Sequence, residues 1–364
     1  MRARPFISLG IGVAAVAILL YFTDPATVAS QAARIPFISM VLFVTSILGF
    51  HFLRSIRWRL LLRAIMGETE FGMVFWTNMI GYAVNQFIPV RFGGEVTRAY
   101  IIDAKKHVGF FPSLSTVAVE RILDLLSIAG LALLGAFTYS VVLSQFSVML
   151  ILVITAVAST AMFAVVLVGS RNLPLVMRGF RWLVYHVPLR ETWRKKTLRV
   201  IESSLIGATA IGRDYKLLTV SILLSLAIWF VSFLGFYFML TGVGFDATAM
   251  AILLGIMLFQ LTFILPSTPG NVGTFEALFL FSFTAIGLTT LPASPSLLAI
   301  IFVTHAFNLI LVALLGTAGV GLLGLKMGDV FKIPGMKREE TTASHPPAVP
   351  SSCPTQAQAP TSSP

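Results

Sequence analysis

Long apolar runs separated by short polar connectors dominate the chain. A membrane-crossing helix needs about 20 mostly apolar residues to pass a hydrocarbon core about 30 Å thick. We therefore expect an all-α polytopic membrane protein with about eight transmembrane helices. The predicted spans are 6–22, 35–52, 115–141, 146–168, 217–240, 248–265, 275–291 and 296–325.

One further apolar stretch, 71–90, reads FGMVFWTNMIGYAVNQFIPV and differs from the others by its polar side chains. Asn78, Asn85 and Gln86 lie inside it, and Pro89 stands near its end. The pattern fits either a ninth span or a re-entrant hairpin that enters the membrane and returns on the same side. Non-helical backbone at membrane depth occurs only where protein or water covers it, so a re-entrant segment predicts a cavity.

The distribution of basic residues favours the re-entrant alternative. Cytoplasmic connectors carry an excess of Lys and Arg. If 71–90 crossed the membrane, the basic segments 91–114 and 171–216 would both lie outside, the second with ten Lys and Arg. If 71–90 is re-entrant, both segments lie inside together with Arg2 and Arg4. We therefore predict a multi-pass protein of the inner (plasma) membrane with both termini cytoplasmic.

Composition agrees with a membrane protein and excludes several other classes. The chain is 57% hydrophobic and 11% charged, with a mean hydropathy of +0.90, whereas soluble domains carry about 25% charged residues. Its net charge of +11 lies in short connectors, which argues against nucleic-acid binding. The single cysteine, Cys353, excludes a disulfide framework. The run 6–22 could be a signal peptide, but no clear cleavage site follows, so we expect a retained anchor.

Two domains are predicted. Residues 1–325 form the transmembrane domain and include 171–216, a basic cytoplasmic connector in which Trp182 and Tyr185 alternate with Lys and Arg. This pattern fits interfacial helices on an anionic leaflet, although positive-inside bias alone also predicts basic residues here. Residues 326–364 end in a segment rich in Pro, Ser, Thr, Ala and Gln, and we expect a disordered cytoplasmic tail.

The first candidate site is the segment FIPVRFGGEVTRAY. Gly93 and Gly94 precede a helical run, and the free N–H groups of a helix N-terminus attract anions. Arg91 and Arg98 flank this helix start, and arginine matches phosphate geometry. Glu95 is spaced to orient either arginine. These five residues predict a pocket for an anionic headgroup, and the alternative is a cytoplasmic turn with a solvated Glu–Arg pair.

The second candidate lies in VAVERILDLLSIAGLALLG, in the first part of a predicted span. Glu120, Arg121 and Asp124 are ionisable, and a charge inside a span is costly unless it faces protein, water or another charge. Glu120 and Asp124 share a helix face, and Arg121 is spaced to pair with Asp124. We expect either a structural ion-pair latch near the cytoplasmic interface or groups that meet a substrate or couple protons.

The third candidate is FILPSTPGNVGTFEALFLF, in which Pro and Gly interrupt an apolar run. Pro269 and Gly270 break the helix. Asn271 and Gly273 then open a new helix, with Glu276 in its first turn. Glu276 there either stabilises the helix dipole or belongs to a binding site.

The first and third candidates share one order of features: apolar run, Pro, small or polar turn, helix restart and Glu. Paired Gly/Pro-interrupted segments in two halves of a chain point to a transporter's binding site. The predicted fold therefore includes re-entrant or broken segments near 71–95 and 263–276. Three polar residues at depth, Gln260, His305 and Asn308, are expected to join helices by hydrogen bonds rather than to contact substrate.

The chain resembles the lysylphosphatidylglycerol synthase transmembrane-domain family, also called the flippase-like family. The resemblance rests on NQFIPVRFGGEVTRAYII, STVAVERILDLLSI and LPSTPGNVGTFEA in this order, and covers about 10–325. It implies movement of a lipid with a polar headgroup between leaflets. Asn271 stands where members often have a second glycine. The family pattern falls on Gly93, Gly94, Glu95, Arg98, Glu120, Arg121, Asp124, Pro269, Gly270, Gly273 and Glu276.

The expected function is lipid transport of the flippase type. The expected partners are membrane lipids: an anionic or aminoacylated phospholipid, a hopanoid or a polyprenyl lipid. Synthases of this family carry an aminoacyl-transfer domain after the membrane part, whereas this chain ends in a short tail, so we expect it not to be the synthase itself. No P-loop or HExxH motif occurs, and we expect no enzyme activity, cofactor, metal or nucleic-acid partner.

Two other functions stay open at this point. The chain could be a secondary transporter of a small solute, or a non-catalytic membrane subunit that recruits a lipid-biosynthetic enzyme. A homo-oligomer is also left open.

Overall fold

The computed structural model describes residues 24–87, 93–139, 146–186, 191–263 and 267–325, with a few isolated residues before residue 24. The predicted span 6–22 falls almost entirely outside the described residues, and the predicted tail 326–364 falls wholly outside them. The described residues form helices, and no strand occurs among them. The helices are α1 (Pro25–Ala33), α2 (Phe37–Met66), α3 (Phe71–Phe87), α4 (Gly93–Lys106), α5 (Phe110–Thr138), α6 (Phe146–Arg171), α7 (Leu173–His186), α8 (Glu191–Arg213), α9 (Tyr215–Gly242), α10 (Ala249–Thr262), a 3-10 helix (Pro269–Asn271), α11 (Thr274–Ala285) and α12 (Pro295–Leu322).

The predicted all-α polytopic membrane fold is confirmed. Four of the described helices, α2, α6, α9 and α12, are long and apolar enough to cross a membrane. Helix α5 has 29 residues but carries the charged residues of the second candidate site. Helix α2 differs most from its predicted span, because it continues past residue 52 to Met66. The reason is that Arg54 and Arg57, which ended the apolar run, are buried and paired inside the protein.

Helices α2 and α9 form a close antiparallel pair. A side chain at Gly235 would collide with Ser46, and one at Gly242 would collide with Ser39. Small residues at such contacts let two helix backbones approach closely in a membrane protein. This pair forms one wall of the bundle, against which α5 packs.

Four shorter helices form two antiparallel hairpins. The first hairpin is α3 with α4, where Gly81 faces Arg98 and Gly94 faces Asn85. The second hairpin is α10 with α11, where Phe283 packs on Gly255. Their helices have 17, 14, 14 and 12 residues, or lengths of about 18 to 26 Å at 1.5 Å per residue. Each is therefore shorter than a hydrocarbon core of about 30 Å.

The second hairpin corrects two predicted spans. The segments 248–265 and 275–291 were expected to cross the membrane separately, but their helices end at Thr262 and Ala285. The chain turns at Gly287, whose φ is 74°, a conformation that favours glycine. The apolar run therefore continues beyond the end of α11, and composition alone overestimates the length of this helix.

Aromatic rings hold the second hairpin together and join it to α9. The ring centroid of Phe259 lies 4.9 Å from that of Phe275 and 5.0 Å from that of Phe279. Phe236 of α9 lies 5.8 Å from Phe279. Offset and edge-to-face aromatic pairs add about 0.5–1.5 kcal/mol each beyond the area they bury. The second hairpin is thus embedded in the largest apolar core of the described chain.

The segment 171–216 forms two helices, α7 and α8. Helix α8 packs closely on α5 and α6, where Gly207 meets Ser115 and Gly212 meets Ser170. Helix α7 exposes Trp182 and Tyr185. Its position on an anionic leaflet stays a prediction.

Candidate functional site

Seven charged side chains from three helices form one group, the arginine–carboxylate cluster. A buried charge is costly unless an opposite charge and hydrogen bonds compensate it. Six of the seven residues are at most 5% exposed, whereas the side chain of Arg121 is 37% exposed. The members are Arg54 and Arg57 of α2, Glu95 and Arg98 of α4, and Glu120, Arg121 and Asp124 of α5.

Asp124 connects α5 to α2. Its Oδ2 lies 2.6 Å from Nη2 of Arg54, and its Oδ1 lies 2.8 Å from Nη1 of Arg57. The indole Nε1–H of Trp229 on α9 donates to Oδ1 at 3.2 Å. Arg57 also donates to Oε1 of Glu120 at 3.1 Å. One carboxylate therefore binds three donors from two other helices.

Glu120 connects α5 to α4, because Arg98 donates to its Oε2. The guanidinium carbon of Arg98 lies 3.9 Å from the ring centroid of Trp58, so the cation stacks on an aromatic face. Trp58 is held in turn by its Nε1–H, which donates to the hydroxyl of Thr116 at 3.0 Å. Arg98 is thus fixed by an acid on one side and an aromatic ring on the other.

Arg121 pairs with Glu95 across the α4–α5 interface. The side-chain amide of Asn85 donates to Oε2 of Glu95 at 3.0 Å. Arg121 also lies 3.9 Å from Asp124, as its spacing in the sequence predicted. Of the two arginines that Glu95 was spaced to orient, Arg98 pairs with Glu120 instead, because α5 places an opposite charge next to it. Arg91 lies outside the described residues.

The turn of the first hairpin lies partly outside the described residues, since Arg91 belongs to the segment 88–92. Helix α4 begins at Gly93, so both glycines lie in its first turn, whereas they were predicted to precede the helix. The N–H of Gly94 donates to Oδ1 of Asn85 at 2.7 Å, so α3 caps the helix that follows it. Gly94 is needed for close approach, because a side chain there would collide with the carbonyl of Gly81.

The turn of the second hairpin uses three left-handed backbone positions. Pro269 begins the 3-10 helix, and Gly270 and Gly273 have φ of 69° and 76°. Asn271 has φ of 57°, and asparagine is one of the few non-glycine residues that adopt this conformation readily. This explains how Asn271 fits a turn position at which the family resemblance predicted glycine.

Glu276 and His305 form a buried pair between α11 and α12. Oε1 of Glu276 lies 2.7 Å from Nδ1 of His305, and Nε2 of His305 lies 2.9 Å from the carbonyl oxygen of Gly270. The ring of His305 stacks on Phe275, with centroids 4.4 Å apart. His305 therefore joins helices by hydrogen bonds, as predicted, and Gln260 does so through Ser232. Glu276 is more than a dipole cap, because it has a specific partner.

The tips of the two hairpins meet. The side-chain amide of Asn271 donates to Oε1 of Gln86 at 3.0 Å. Gln86 lies in the last turn of α3 and Asn271 in the 3-10 helix, so the bond joins the two interrupted segments that the sequence pattern paired. The first and third candidate sites are neighbours in the fold.

Several residues of the site escaped sequence reasoning. Arg54 and Arg57 were counted only as basic residues of a connector. Their signal was their spacing of three, which puts both on one face of a helix that continues from an apolar run. Nothing in the sequence indicated that Trp58 and Asn85 belong to the site, except that each has a polar atom within a largely apolar stretch.

The electrostatic balance of the arginine–carboxylate cluster favours an anion. Four arginines face three carboxylates, which leaves a formal excess of one positive charge. Arginine binds phosphate through two parallel N–H donors. Within the described ranges, no group of three or more His, Cys, Asp or Glu side chains is arranged to hold a metal ion.

Comparisons with known proteins agree with the fold. Residues 6–322 match the model of the lysylphosphatidylglycerol synthase transmembrane region. The chain is 22% identical over 341 residues to a UPF0104 membrane protein of Methanothermobacter thermautotrophicus, which covers 90% of this chain and 98% of that protein. It is 27% identical over 297 residues to the glycosyltransferase AglD of Haloferax volcanii, which covers 75% of this chain.

The match to AglD is partial, because the aligned region spans 45% of the length of that protein. No solved structure matches the chain.

Proposed function

Since the chain belongs to the lysylphosphatidylglycerol synthase transmembrane-region family, we propose that it moves a lipid with an anionic headgroup between the two leaflets of the membrane. The observation that carries this proposal is the arginine–carboxylate cluster with its excess positive charge. Buried ion pairs contribute little net stability compared with apolar packing of similar volume. Charges inside a membrane bundle therefore point to a function.

Arg121 is the residue of the cluster that we assign to the headgroup. It is the most exposed of the seven, whereas the other three arginines are buried and at most 2% exposed. The N–H groups of its partly exposed side chain can donate to a phosphate oxygen while Glu95 pairs with the same guanidinium. The neighbouring pairs keep Arg121 in place without neutralising the whole cluster.

The two hairpins are the elements that we assign to the transport path. Broken helices that meet near the membrane midplane form the binding sites of many transporters. With the predicted cytoplasmic termini, the first hairpin enters from the cytoplasm and the second from outside. Their contact at Gln86 and Asn271 then separates the two sides.

The cargo that we propose is a lipid whose headgroup is attached through phosphate. The name of AglD, a glycosyltransferase, extends the candidate cargo from phospholipids to lipid-linked sugars. Phospholipids and polyprenyl-linked sugars share a phosphate next to the lipid, which is the group that an arginine recognises. This proposal gives the chain membrane lipids as partners and assigns it no covalent chemistry.

The test is a headgroup-accessibility assay in proteoliposomes. The purified protein is reconstituted with lipids that carry a label on the headgroup, and the label is quenched from outside. We expect faster loss of the protected fraction for phosphate-containing lipids. A hydrogen bond to a charged group contributes about 1.5–3 kcal/mol, so Arg121→Gln should slow the movement by about tenfold or more.

The matched control is Arg63→Gln. Arg63 lies on α2 outside the cluster, is exposed and pairs with Glu68 at 3.1 Å. The substitution Arg63→Gln should leave the rate of headgroup movement unchanged. Equal rates for Arg121→Gln and Arg63→Gln would contradict the role of Arg121. No acceleration for any anionic, aminoacylated, hopanoid or polyprenyl lipid would contradict the proposed function itself.

A further inference from the structure

The pair formed by Glu276 and His305 has a protonation state that its contacts restrict. The carbonyl of Gly270 can only accept a hydrogen bond, so Nε2 of His305 must carry a hydrogen. A hydrogen bond between Nδ1 and Oε1 of Glu276 then requires one more proton, either on the ring or on the carboxyl group. In both cases the pair is neutral as a whole.

The surroundings of this pair are apolar and poor in other titratable groups. Within the described residues, α10 and α1 carry no titratable side chain, α11 carries only Glu276, and α12 carries only His305. The elements packed on this pair of helices that do carry titratable groups are α3, with Tyr82, α2, with His51 and Arg54, and α9, with Tyr237. The ring of Tyr82 contacts His51 and Arg54, and the ring of Tyr237 contacts Phe233. Oε2 of Glu276 is buried and has no hydrogen-bond partner.

Loss of the shared proton would therefore change the local structure. The carboxylate of Glu276 would face the lone pair of Nδ1 on His305, and two acceptors at this distance repel each other. The N-terminus of α11 offsets part of the negative charge, but a buried carboxylate still requires donors. The ring of His305 would have to turn, and the carbonyl of Gly270 would lose its donor.

Gly270 connects this change to the hairpin tips, because it directly precedes Asn271, which bonds to Gln86. We infer that Glu276 and His305 bind one exchangeable proton, and that its occupancy controls the contact between the two hairpin tips. If the proposed function holds, the same proton is the coupling ion for lipid movement. That part of the inference rests on the proposed function.

The first test measures the contact between the tips. Gln86→Cys and Asn271→Cys are combined in a Cys353→Ser background, and a short bifunctional thiol reagent is applied in acidic and in alkaline buffer. We expect the crosslinked fraction, corrected for thiol reactivity, to fall several-fold in alkaline buffer. Thiol reactivity is measured at each pH with a monofunctional thiol reagent. The same cysteine pair with Glu276→Gln is the matched control, because the Gln amide donates to Nδ1 of His305 as a protonated carboxyl group would.

Crosslinking of the Glu276→Gln protein should stay high at both pH values after the same correction. An identical pH dependence with and without Glu276→Gln would overturn the inference. Because a variant can misfold, the proton is also followed directly in the wild-type protein by infrared spectroscopy. The acidic-minus-alkaline difference spectrum of the wild-type protein should contain a carboxyl or imidazolium band that is missing from the spectrum of Glu276→Gln, and identical difference spectra of the two proteins would also overturn the inference.

The second test uses proteoliposomes with an imposed pH gradient. The gradient should change the rate of headgroup movement several-fold in the wild-type protein and leave the rate of Glu276→Gln unchanged. If no lipid moves but the crosslinking depends on Glu276, the proton site stands and the proposed function fails. If lipid moves with equal pH dependence in both proteins, the proposed function stands and the proton site fails.

Discussion

Asp124→Asn tests the central claim that the arginine–carboxylate cluster is held together by mutual compensation. The substitution keeps the size of the side chain and removes one negative charge. The formal excess of the cluster then rises from one positive charge to two. Arg54 is affected most, because Asp124 is its one acidic partner within the described residues.

The magnitude follows from the contacts. Removing one partner of a buried ion pair costs about 3–5 kcal/mol. Arg57 keeps Glu120 and also donates to the hydroxyl of Ser225, so its loss is partial. The remaining oxygen of Asn can still accept from one arginine. We therefore expect the lower end of the range, a loss of about 3 kcal/mol in the free energy of unfolding.

The assay is reversible unfolding in mixed micelles of detergent and sodium dodecyl sulfate, followed by tryptophan fluorescence. Glu191→Gln is the matched control, because Glu191 and Lys195 form an ion pair at 2.8 Å that is exposed to solvent. Exposed pairs contribute little to stability, so this control should unfold like the wild type. If Asp124→Asn unfolds together with Glu191→Gln, the reasoning about buried compensation is wrong.

Two further substitutions test the neighbouring contacts. Arg98→Lys keeps the charge but loses the planar group that stacks on Trp58, so we expect the free energy of unfolding to fall by about 2 kcal/mol; wild-type stability would show that the stacking contributes nothing. Gly94→Ala pushes a methyl group against the carbonyl of Gly81, and should destabilise the first hairpin by about 1–3 kcal/mol in the same assay. Gly72→Ala on α3 meets no neighbouring atom, and should change stability by less than about 1 kcal/mol; equal effects of the two glycine substitutions would contradict the close contact.

The charged residues illustrate what the sequence could predict about the site. Glu120 and Asp124 stood out because an ionisable residue in an apolar run is costly and therefore has a reason to be there. The partners of these acids could not be read from the sequence, since Arg57 and Asp124 are 67 positions apart. Glu95 shows the same limit, because its ion pair with Arg121 on another helix was not predicted.

The hairpins illustrate what the sequence could predict about the fold. Pro and Gly marked both interruptions, and the turn at Asn271 has the left-handed backbone that such a sequence favours. Helix length was harder, because the apolar composition of 275–291 continues beyond the end of α11 at Ala285. Hydropathy indicates whether a segment can lie in an apolar environment. The end of the helix is set by where its backbone hydrogen bonds stop, and hydropathy does not report that. The meeting of Gln86 with Asn271 depends on packing between distant segments.

The contact between α3 and α12 differs in kind from the ion-paired contact between α4 and α5. Gly316 faces Ala83, Gly319 faces the carbonyl of Trp76, and no hydrogen bond joins the two helices within the described part of the chain. Dispersion contacts of this sort are worth about 0.1–0.2 kcal/mol per atom pair and re-form after a small shift. Close packing alone therefore holds α3 against α12, the helix that carries His305, whereas ion pairs hold α4 against α5. Any displacement of α12 would act directly on the turn of the second hairpin, because His305 is hydrogen-bonded to the carbonyl of Gly270.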